Sequence, residues 1–317
     1  MTRPTLADVR SAAERIRPYA HRTPVFTCRT LDALCGAHLF FKGENFQKAG
    51  AFKFRGAANA VFSLSAEDAR RGVLTHSSGN HGAALALAAR MRDIPAIVVV
   101  PTHAPPVKRA AIAGYGARIV ECEPTLASRE TTAARVMAET GATLIHPYDD
   151  DRIIAGQGTA ALELLADVPD LDIVLAPVGG GGLVSGTAIA VAGLSPATRV
   201  FAAEPAAADD AWRSLRAGRI IPQTDPRTVA DGLRTSLAPR TFAVIQELVA
   251  DIVTVSEEEI IQAMRHVLER MKIVIEPSSA VPVAAALAGR PEVAGRRVGI
   301  ILSGGNVDWD RLPWPRP

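Results

Sequence analysis

Short apolar runs alternate with longer alanine-rich segments along most of the chain. The runs are rich in β-branched residues and have the length of strands, whereas the segments between them have the length and composition of helices. The predicted strands are 72–76, 96–101, 117–122, 143–147, 172–178, 199–205 and 296–303. Continuous apolar strands that alternate with helices are typical of a mostly parallel sheet covered on both faces. The pattern therefore predicts an α/β protein.

The number of these strand–helix units exceeds what one sheet holds comfortably. A chain of 317 residues with 48% hydrophobic composition is long enough to form two cores. We therefore expect two doubly wound α/β domains. We assign 1–68 and 148–317 to a large domain and 69–147 to a smaller domain inserted within it, although periodicity alone does not reveal an insertion.

Composition argues against several classes of protein. A formal net charge of +2, without a basic block, does not indicate nucleic-acid binding. No apolar run reaches the roughly 20 residues that span a bilayer, and the charged N-terminus lacks the apolar core of a secretory signal. The cysteines fit neither a disulfide framework nor a zinc site, and they are Cys28, Cys35 and Cys122. We expect a cytoplasmic globular protein.

Candidate chemistry lies at the ends of predicted strands. Open α/β sheets bind ligands at the carboxyl ends of their strands. The polar or glycine-rich stretches at such ends are THSSGNHG (75–82), GGGGLVSG (179–186), AAEPAAADD (202–210) and SGGN (303–306). We therefore expect these four stretches to contribute to one or more ligand sites.

The run Gly179-Gly180-Gly181-Gly182 precedes a predicted helix. Without side chains, its backbone N–H groups are free to close on an anion at the N-terminus of the helix. The run lacks the Gly-Lys-Ser/Thr of a P-loop and the ribose-binding acid of a dinucleotide fold. A phosphate cradle is the favoured interpretation, and a flexible turn is the alternative.

Lys53 stands between Phe52 and Phe54 in a chain with few lysines. The lysines are Lys42, Lys48, Lys53, Lys108 and Lys272. Unlike a guanidinium, an amine can lose its proton and attack a carbonyl. Together with a phosphate cradle, Lys53 indicates a phosphorylated aldehyde bound covalently to the chain. An ordinary surface lysine at the start of a helix remains the alternative.

The other polar candidates each have a structural alternative. Ser77, Ser78 and Asn80 lie before a predicted helix, where such residues are common caps but also offer donors to a carboxylate. Ser303 could simply begin a Ser-Gly-Gly turn, and His81 belongs to no nucleophile or metal-ligand pattern. The sequence leaves these alternatives open.

Two carboxylates lie close together in the stretch AAEPAAADD. Glu204 and Asp210 are suited to hold Mg²⁺ or Ca²⁺ together with backbone carbonyls. Alternatively, Asp209 or Asp210 caps the helix that begins DDAWRSL. The residues alone favour capping.

The stretches FQKAGAFKFRGA, THSSGNHG, IAGQGTAALE, PVGGGGL, AAEPAAADD and LSGGN, in this order, resemble the fold-type II pyridoxal-phosphate enzymes. This fold is of the tryptophan synthase β type, with the cofactor in the cleft between two α/β domains. Within that class the chain looks like the serine racemase and threonine/serine dehydratase family. The resemblance extends from about residue 5 to about residue 310 and covers nearly the whole chain.

The resemblance implies a role for each matching residue. Lys53 would bond covalently to the cofactor, Phe52 would pack against its ring, and Asn80 would contact its ring hydroxyl. The glycine run Gly179, Gly180, Gly181 and Gly182 would bind the cofactor phosphate. Ser303 would meet the pyridine nitrogen.

The same resemblance places the substrate and a cation. Ser77, Ser78, Asn80 and His81 would form the loop that receives the substrate carboxylate. Ser78 matches the second acid/base of serine racemases. Glu204, the carbonyl of Ala208 and Asp210 would bind Mg²⁺ or Ca²⁺, which reverses the capping interpretation.

The resemblance implies an L-threonine or L-serine dehydratase that gives a 2-oxo acid and ammonia, with threo-3-hydroxyaspartate as a further candidate substrate. Arg129 could reach the second carboxylate of that substrate, although an exposed helix arginine is the favoured interpretation. A serine or aspartate racemase is the main alternative, and a β-replacement synthase is less favoured. The segment Tyr148-Asp149-Asp150 looks more like a dehydratase. We also expect a homodimer.

Overall fold

The computed structural model describes residues 3–104 and 106–314. The strands are β1 Val25–Phe26, β2 His38–Gly43, β3 Val73–Thr75, β4 Ala96–Pro101, β5 Arg118–Cys122, β6 Thr143–Leu144, β7 Ile173–Pro177, β8 Arg199–Pro205, β9 Asp251–Val255 and β10 Arg297–Leu302. The first helices are α1 Leu6–Ile16, α2 Arg29–Cys35, α3 Lys53–Phe62, α4 Ala66–Arg71, α5 Asn80–Arg92, α6 Pro106–Gly114 and α7 Leu126–Thr140. The later ones are α8 Asp151–Asp167, α9 Gly182–Leu194, α10 Asp210–Ala217, α11 Pro239–Leu248, α12 Glu257–His266 and α13 Pro277–Leu287.

The strands form two sheets, which confirms the predicted α/β class. One sheet has six strands in the order β1-β2-β10-β7-β8-β9, and all its pairs are parallel except β1 with β2. The other has four parallel strands in the order β5-β4-β3-β6. The strands of the smaller sheet lie between β2 and β7 in the chain, as expected for an insertion. The exact domain boundaries at 69 and 147 stay a prediction.

The predicted strand at 143–147 is shorter than expected. Strand β6 ends at Leu144, although the N–H of Ile145 still donates to the carbonyl of Leu74 at 2.8 Å. Beyond this point the His146 Nδ1 accepts the N–H of Asp149 at 2.9 Å, and Pro147 has no N–H for a ladder. The chain therefore turns away from the sheet and leads into α8.

Helix α3 packs into the core of the smaller sheet. Phe54, Ala57 and Val61 are fully buried in one hydrophobic cluster with Leu85 of α5 and Val98 of β4. The apolar face of α3 is thus held by the small sheet, so the first turn of the helix lies at the cleft between the two sheets. None of the helices in the described residues is long and apolar enough to cross a membrane.

A buried network of charges holds the first turn of α3 from its other side. The Arg55 guanidinium donates from Nε to Glu44 Oε2 at 2.7 Å and from Nη1 to Glu163 Oε1 at 2.8 Å. Lys42 Nζ donates to Glu163 Oε2 at 2.7 Å. These four side chains are at most 15% exposed. The network therefore joins α3 to β2, to the turn after β2 and to α8.

Candidate active site

Lys53 is the first residue of α3, and its amine faces the cleft. Its Nζ donates to the carbonyl oxygen of Pro147 at 3.0 Å and lies 5.1 Å from the centre of the Phe52 ring. Burial lowers the pKa of the Lys53 amine to about 8, against an opposing effect of the nearby Glu276 carboxyl. At mildly basic pH a substantial fraction of the Lys53 amine is therefore unprotonated.

Ser303 is tied to the segment that carries Lys53. The N–H of Phe52 donates to the carbonyl of Ser303 at 2.9 Å, and Ala51 pairs with Gly304 in an antiparallel bridge. Ser303 itself is 2% exposed and follows directly after β10. The end of β10 and the start of α3 thus lie side by side, as the proposed cofactor contacts of Lys53 and Ser303 require.

The loop between β3 and α5 contains Ser77 and Ser78 and ends at Asn80, the first residue of α5. A Cβ on Gly82 would lie 2.0 Å from the carbonyl oxygen of Ser77, so this close approach requires glycine. The Asn80 side chain donates from Nδ2 to both oxygens of Glu276, at 3.0 and 2.9 Å. The loop therefore faces the same cleft as Lys53.

His81 is the second residue of α5, directly after this loop, and is 2% exposed. Its Nε2 is 3.2 Å from the carbonyl oxygen of Ile145, whereas its Nδ1 is buried and has no hydrogen-bond partner in the described part of the chain. Burial, followed by the nearby Lys53, holds the pKa of His81 well below its ordinary value. His81 is therefore a neutral imidazole with a polar atom left for a bound molecule.

The glycine run connects β7 to α9 at the floor of the cleft. A Cβ on Gly180 would lie 2.3 Å from the Tyr148 ring, and one on Gly182 would lie 3.0 Å from the Tyr148 Cβ. Gly181 has a φ of +88°, which disfavours any other residue. The first N–H groups of α9 have no acceptors within the helix. The run can therefore cradle a phosphate, and its composition is also required by packing against Tyr148.

The candidate cation residues lie at the end of β8, next to β7 and its glycine run. Glu204 and Asp210 are fully buried. Burial raises the pKa of Glu204 well above its ordinary value and raises the pKa of Asp210 to about 7. Glu204 accepts the N–H groups of Ala211 and Trp212 at 3.0 and 2.9 Å, so Glu204 caps α10. Neither Asp209 nor Asp210 provides that cap with its side chain.

The surroundings of these two carboxyls fit a divalent cation. Ala208 is 1% exposed and lies between them in the chain, so its carbonyl is close by. Buried negative charge is costly without a compensating cation. The described residues contain no group of three or more His, Cys, Asp or Glu side chains suited to a metal, so such a site would rely on backbone oxygen as well.

Three residues of the cleft were missed by sequence reasoning as site residues. Glu276 and Asn306 contact Asn80, and Tyr148 covers the glycine run. Tyr148 is fixed by a hydrogen bond of 2.9 Å between its hydroxyl and that of Thr235. Glu276 stands directly before a helix that begins with proline, and this pattern usually marks only a helix start. No local signal therefore set Glu276 apart.

Comparison with known proteins gives a consistent result. A family model described as pyridoxal-phosphate dependent enzyme matches residues 16–304. The chain is 53% identical over 311 residues to beta-hydroxyaspartate dehydratase of Paracoccus denitrificans (strain Pd 1222), covering 98% of this chain and 99% of that protein. It is 49% identical over 309 residues to L-threo-3-hydroxyaspartate ammonia-lyase of Saccharomyces cerevisiae (strain ATCC 204508 / S288c), covering 97% and 95%. The crystal structure of serine racemase from Dictyostelium discoideum matches with a TM-score of 0.93 and 50% identity, covering 96% and 99%.

With a partly buried lysine, a glycine run after β7 and two sheets that are mostly parallel, the molecule is a fold-type II pyridoxal-phosphate-dependent enzyme. The chain belongs to the family of pyridoxal-phosphate dependent enzymes, within which its relatives include dehydratases, ammonia-lyases and serine racemases. The resemblance seen in the sequence is thereby confirmed. The roles of the individual site residues stay predictions.

We expect the Lys53 amine of the cofactor-free protein to react with acetic anhydride at a rate that is half-maximal at about pH 8. Only the unprotonated amine reacts, so the rate should rise through this pH and level off at higher pH, where the amine is fully unprotonated. Lysines at the surface, with an ordinary pKa of about 10.4, should continue to gain reactivity. Mass spectrometry of the labelled peptides at a series of pH values measures both profiles. A Lys53 profile that coincides with the surface lysines would contradict the prediction.

Proposed function

We propose that the enzyme is an ammonia-lyase that converts 3-hydroxy amino acids to a 2-oxo acid and ammonia, with threo-3-hydroxyaspartate preferred to L-threonine and L-serine. The dehydratase and the ammonia-lyase among its relatives support this reaction, and both act by name on hydroxyaspartate. The observation that carries the preference is the environment of Arg129. A substrate with a second carboxylate needs a cation beside the site, whereas threonine and serine do not.

Arg129 lies on α7 and is only partly exposed. Its Nε is buried and has no hydrogen-bond partner among the described residues. Besides burial, the charges of Glu130 and Arg129 act on the pKa of His76. The Arg129 guanidinium therefore lies near His76, the residue that precedes Ser77. A buried donor without a partner is costly. This supports Arg129 as a ligand of a second carboxylate rather than as a solvated helix arginine.

Several residues of the cleft have distinct tasks in the proposed reaction. Pyridoxal phosphate, when bound, supplies a conjugated ring that delocalises the negative charge left after removal of the α-proton. Lys53 is the base, because its lowered pKa lets the amine accept that proton near neutral pH. The glycine run Gly179–Gly182 would hold the phosphate, Phe52 would pack on the ring, and Ser303 would offer a neutral hydroxyl to the ring nitrogen.

The substrate would be held from its two ends. The α-carboxylate would be received by Ser77, Ser78, Asn80 and His81. Burial lowers the pKa of His81, so its imidazole would stay neutral there. Arg129 would bind the carboxylate on the β-carbon. Loss of the α-proton and of the β-hydroxyl then releases an enamine, which water hydrolyses to the 2-oxo acid and ammonia.

A racemase is the second candidate function. Serine racemases are among the relatives, at 50% identity for the protein of Arabidopsis thaliana. Racemisation requires a second acid/base on the opposite face of the substrate, and Ser78 is the candidate for it. A neutral hydroxyl such as that of Ser303 would leave the ring nitrogen of the bound cofactor largely unprotonated, and the ring would then be a weaker electron acceptor. We therefore rank elimination above racemisation.

We further propose that Mg²⁺ or Ca²⁺ binds to Glu204, to the carbonyl of Ala208 and to Asp210. The buried carboxyls and the position of the site support this. Asp210 Oδ2 accepts the N–H of Leu237 at 3.3 Å, and a Cβ on Gly181 would lie 3.0 Å from Leu237 Cδ2. A cation here would thus stabilise the loop that packs on the phosphate cradle. A homodimer and a cytoplasmic location stay predictions.

Proton NMR in D₂O tests the reaction with the holoenzyme and Mg²⁺. We expect threo-3-hydroxyaspartate to be consumed with formation of a 2-oxo acid, and L-threonine and L-serine to be consumed more slowly. Lys53→Ala should abolish the reaction and the visible absorption of the covalently bound cofactor, because the Lys53 amine is the proposed point of attachment. Exchange of the α-proton of L-serine without loss of the amino acid, together with D-serine on chiral analysis, would instead establish the racemase.

Replacement of Arg129 tests the substrate preference. Arg129→Ala should lower kcat/KM for threo-3-hydroxyaspartate by about 10- to 100-fold, the effect of losing a hydrogen bond between charged groups. Values for L-serine should change little. Arg135→Ala is the matched control, because Arg135 is an exposed residue of the same helix that pairs with the exposed Glu139. An equal loss for both substrates would show that Arg129 is structural.

Replacement of Asp210 tests the cation site. Mg²⁺ or Ca²⁺ should raise the unfolding temperature of the parent protein, and Asp210→Ala should remove this rise because a charged ligand is lost. Asp209→Ala is the matched control, since that carboxylate faces Arg213 at 2.7 Å. A cation-induced rise that persists in Asp210→Ala, as measured by differential scanning calorimetry, would return Asp210 to a purely structural role.

A further inference from the structure

Glu276 is a buried carboxyl in the cleft to which the proposed reaction gives no task. It is 4% exposed and stands immediately before α13, where its N–H donates to the carbonyl of Gly304 at 2.9 Å. Burial raises the pKa of Glu276 to about 7, although the Asn80 amide favours its charged form. The charge of Asp231 raises the pKa of Glu276 further, and that of Lys108 lowers it. Glu276 in turn raises the pKa of Lys53. A buried carboxyl next to the cofactor site is costly and requires an explanation.

The space for this carboxyl is formed by residues without side chains. A Cβ on Gly304 would lie 2.9 Å from Glu276 Oε1, and the Cβ that Gly232 lacks would lie 2.8 Å from Ser278 Oγ. The Ser278 hydroxyl in turn accepts the N–H of Gly232 at 3.0 Å. The carboxyl is therefore enclosed at the point where the end of β10 meets the start of α13.

The contacts of Asn80 fix the orientation of its amide from both sides. Its Nδ2 faces the two carboxylate oxygens of Glu276, while its Oδ1 accepts from Asn306 Nδ2 at 2.9 Å. Asn306 is oriented in turn, because its Nδ2 also donates to the carbonyl of Ala49 at 2.8 Å. A flipped Asn80 amide would place its oxygen against a carboxylate and its nitrogen against another donor. Only one orientation satisfies all of these groups.

We propose that Glu276 is a positioning residue that holds the Asn80 side chain as a hydrogen-bond donor toward the ring oxygen of pyridoxal phosphate. One N–H of Asn80, shared between the two carboxylate oxygens, satisfies Glu276. The second N–H of the same nitrogen is then left for the cofactor. An ionised carboxylate serves this purpose better than an amide, because it accepts at both atoms and cannot donate to Asn80. The inference rests on the proposed function for the contact between Asn80 and the cofactor.

Glu276→Gln tests this role, because the substitution keeps the shape of the side chain and makes one of its two acceptors a donor. We expect pyridoxal phosphate to bind to the cofactor-free variant about tenfold more weakly than to the parent protein. We also expect the absorption of the bound cofactor to shift toward the form with a protonated ring oxygen. Fluorescence titration and absorption spectroscopy measure these two quantities without any substrate. Glu258→Gln, the same substitution at an exposed position of α12, should leave the spectrum unchanged.

A double-mutant cycle separates positioning from a general structural effect. If Glu276 acts through Asn80, then Glu276→Gln should not weaken cofactor binding any further in an Asn80→Ala background. Asn306→Ala releases the other end of the amide at an exposed position, so it should shift the spectrum in the same direction and remain testable if Glu276→Gln fails to fold. An unchanged spectrum in these variants, or full additivity in the cycle, would overturn the proposal. A holoenzyme that binds the cofactor normally but eliminates nothing from 3-hydroxy amino acids would overturn the proposed function alone.

Discussion

The position of the lysine amine depends on the buried charges around Arg55. Arg55 lies two residues after Lys53 in the first turn of α3, and Glu44 and Glu163 hold its guanidinium from two other elements. Glu163 belongs to α8, which begins at Asp151, shortly after Pro147, and the carbonyl of Pro147 accepts a hydrogen bond from the Lys53 amine. Removing such charges from water is costly, and a buried ion pair often adds little to the free energy of unfolding. We therefore interpret the network as a device that fixes α3 and α8 relative to each other.

With the helices fixed, burial sets the protonation of the cleft. The pKa of Lys53 falls to about 8 and that of His146 to about 4, and His81 is neutral for the same reason. The amine is thus surrounded by neutral rings and carbonyls rather than by carboxylates, except for Glu276, which is occupied by Asn80. An amine that is partly unprotonated and not paired with an acid is the form that a proton-abstracting base requires.

The sequence predicted the strand–helix alternation and the residues at strand ends, because periodicity and local motifs are written in consecutive residues. The local sequence explains only part of why glycine is required at 179–182, since the Tyr148 ring that lies over Gly180 comes from another segment. It could not reveal Glu276, which meets Asn80 from 196 positions away. It also favoured an exposed Arg129, because helical spacing does not show that the guanidinium Nε is buried. Patterns in consecutive residues carry no information about contacts between distant segments.

The proposed cation site and the phosphate cradle share one loop, and this has an energetic consequence. Leu237 donates its N–H to Asp210 and packs its side chain on Gly181. A change in the loop at Asp210 therefore also affects the packing at Gly181. If a cation orders this loop, cofactor binding to the ordered cradle requires less further ordering. Coupling of this kind is reciprocal, so a bound cofactor must strengthen cation binding by the same factor. Burial raises the pKa values of Glu204 and Asp210, whereas a cation bound there would favour their charged forms.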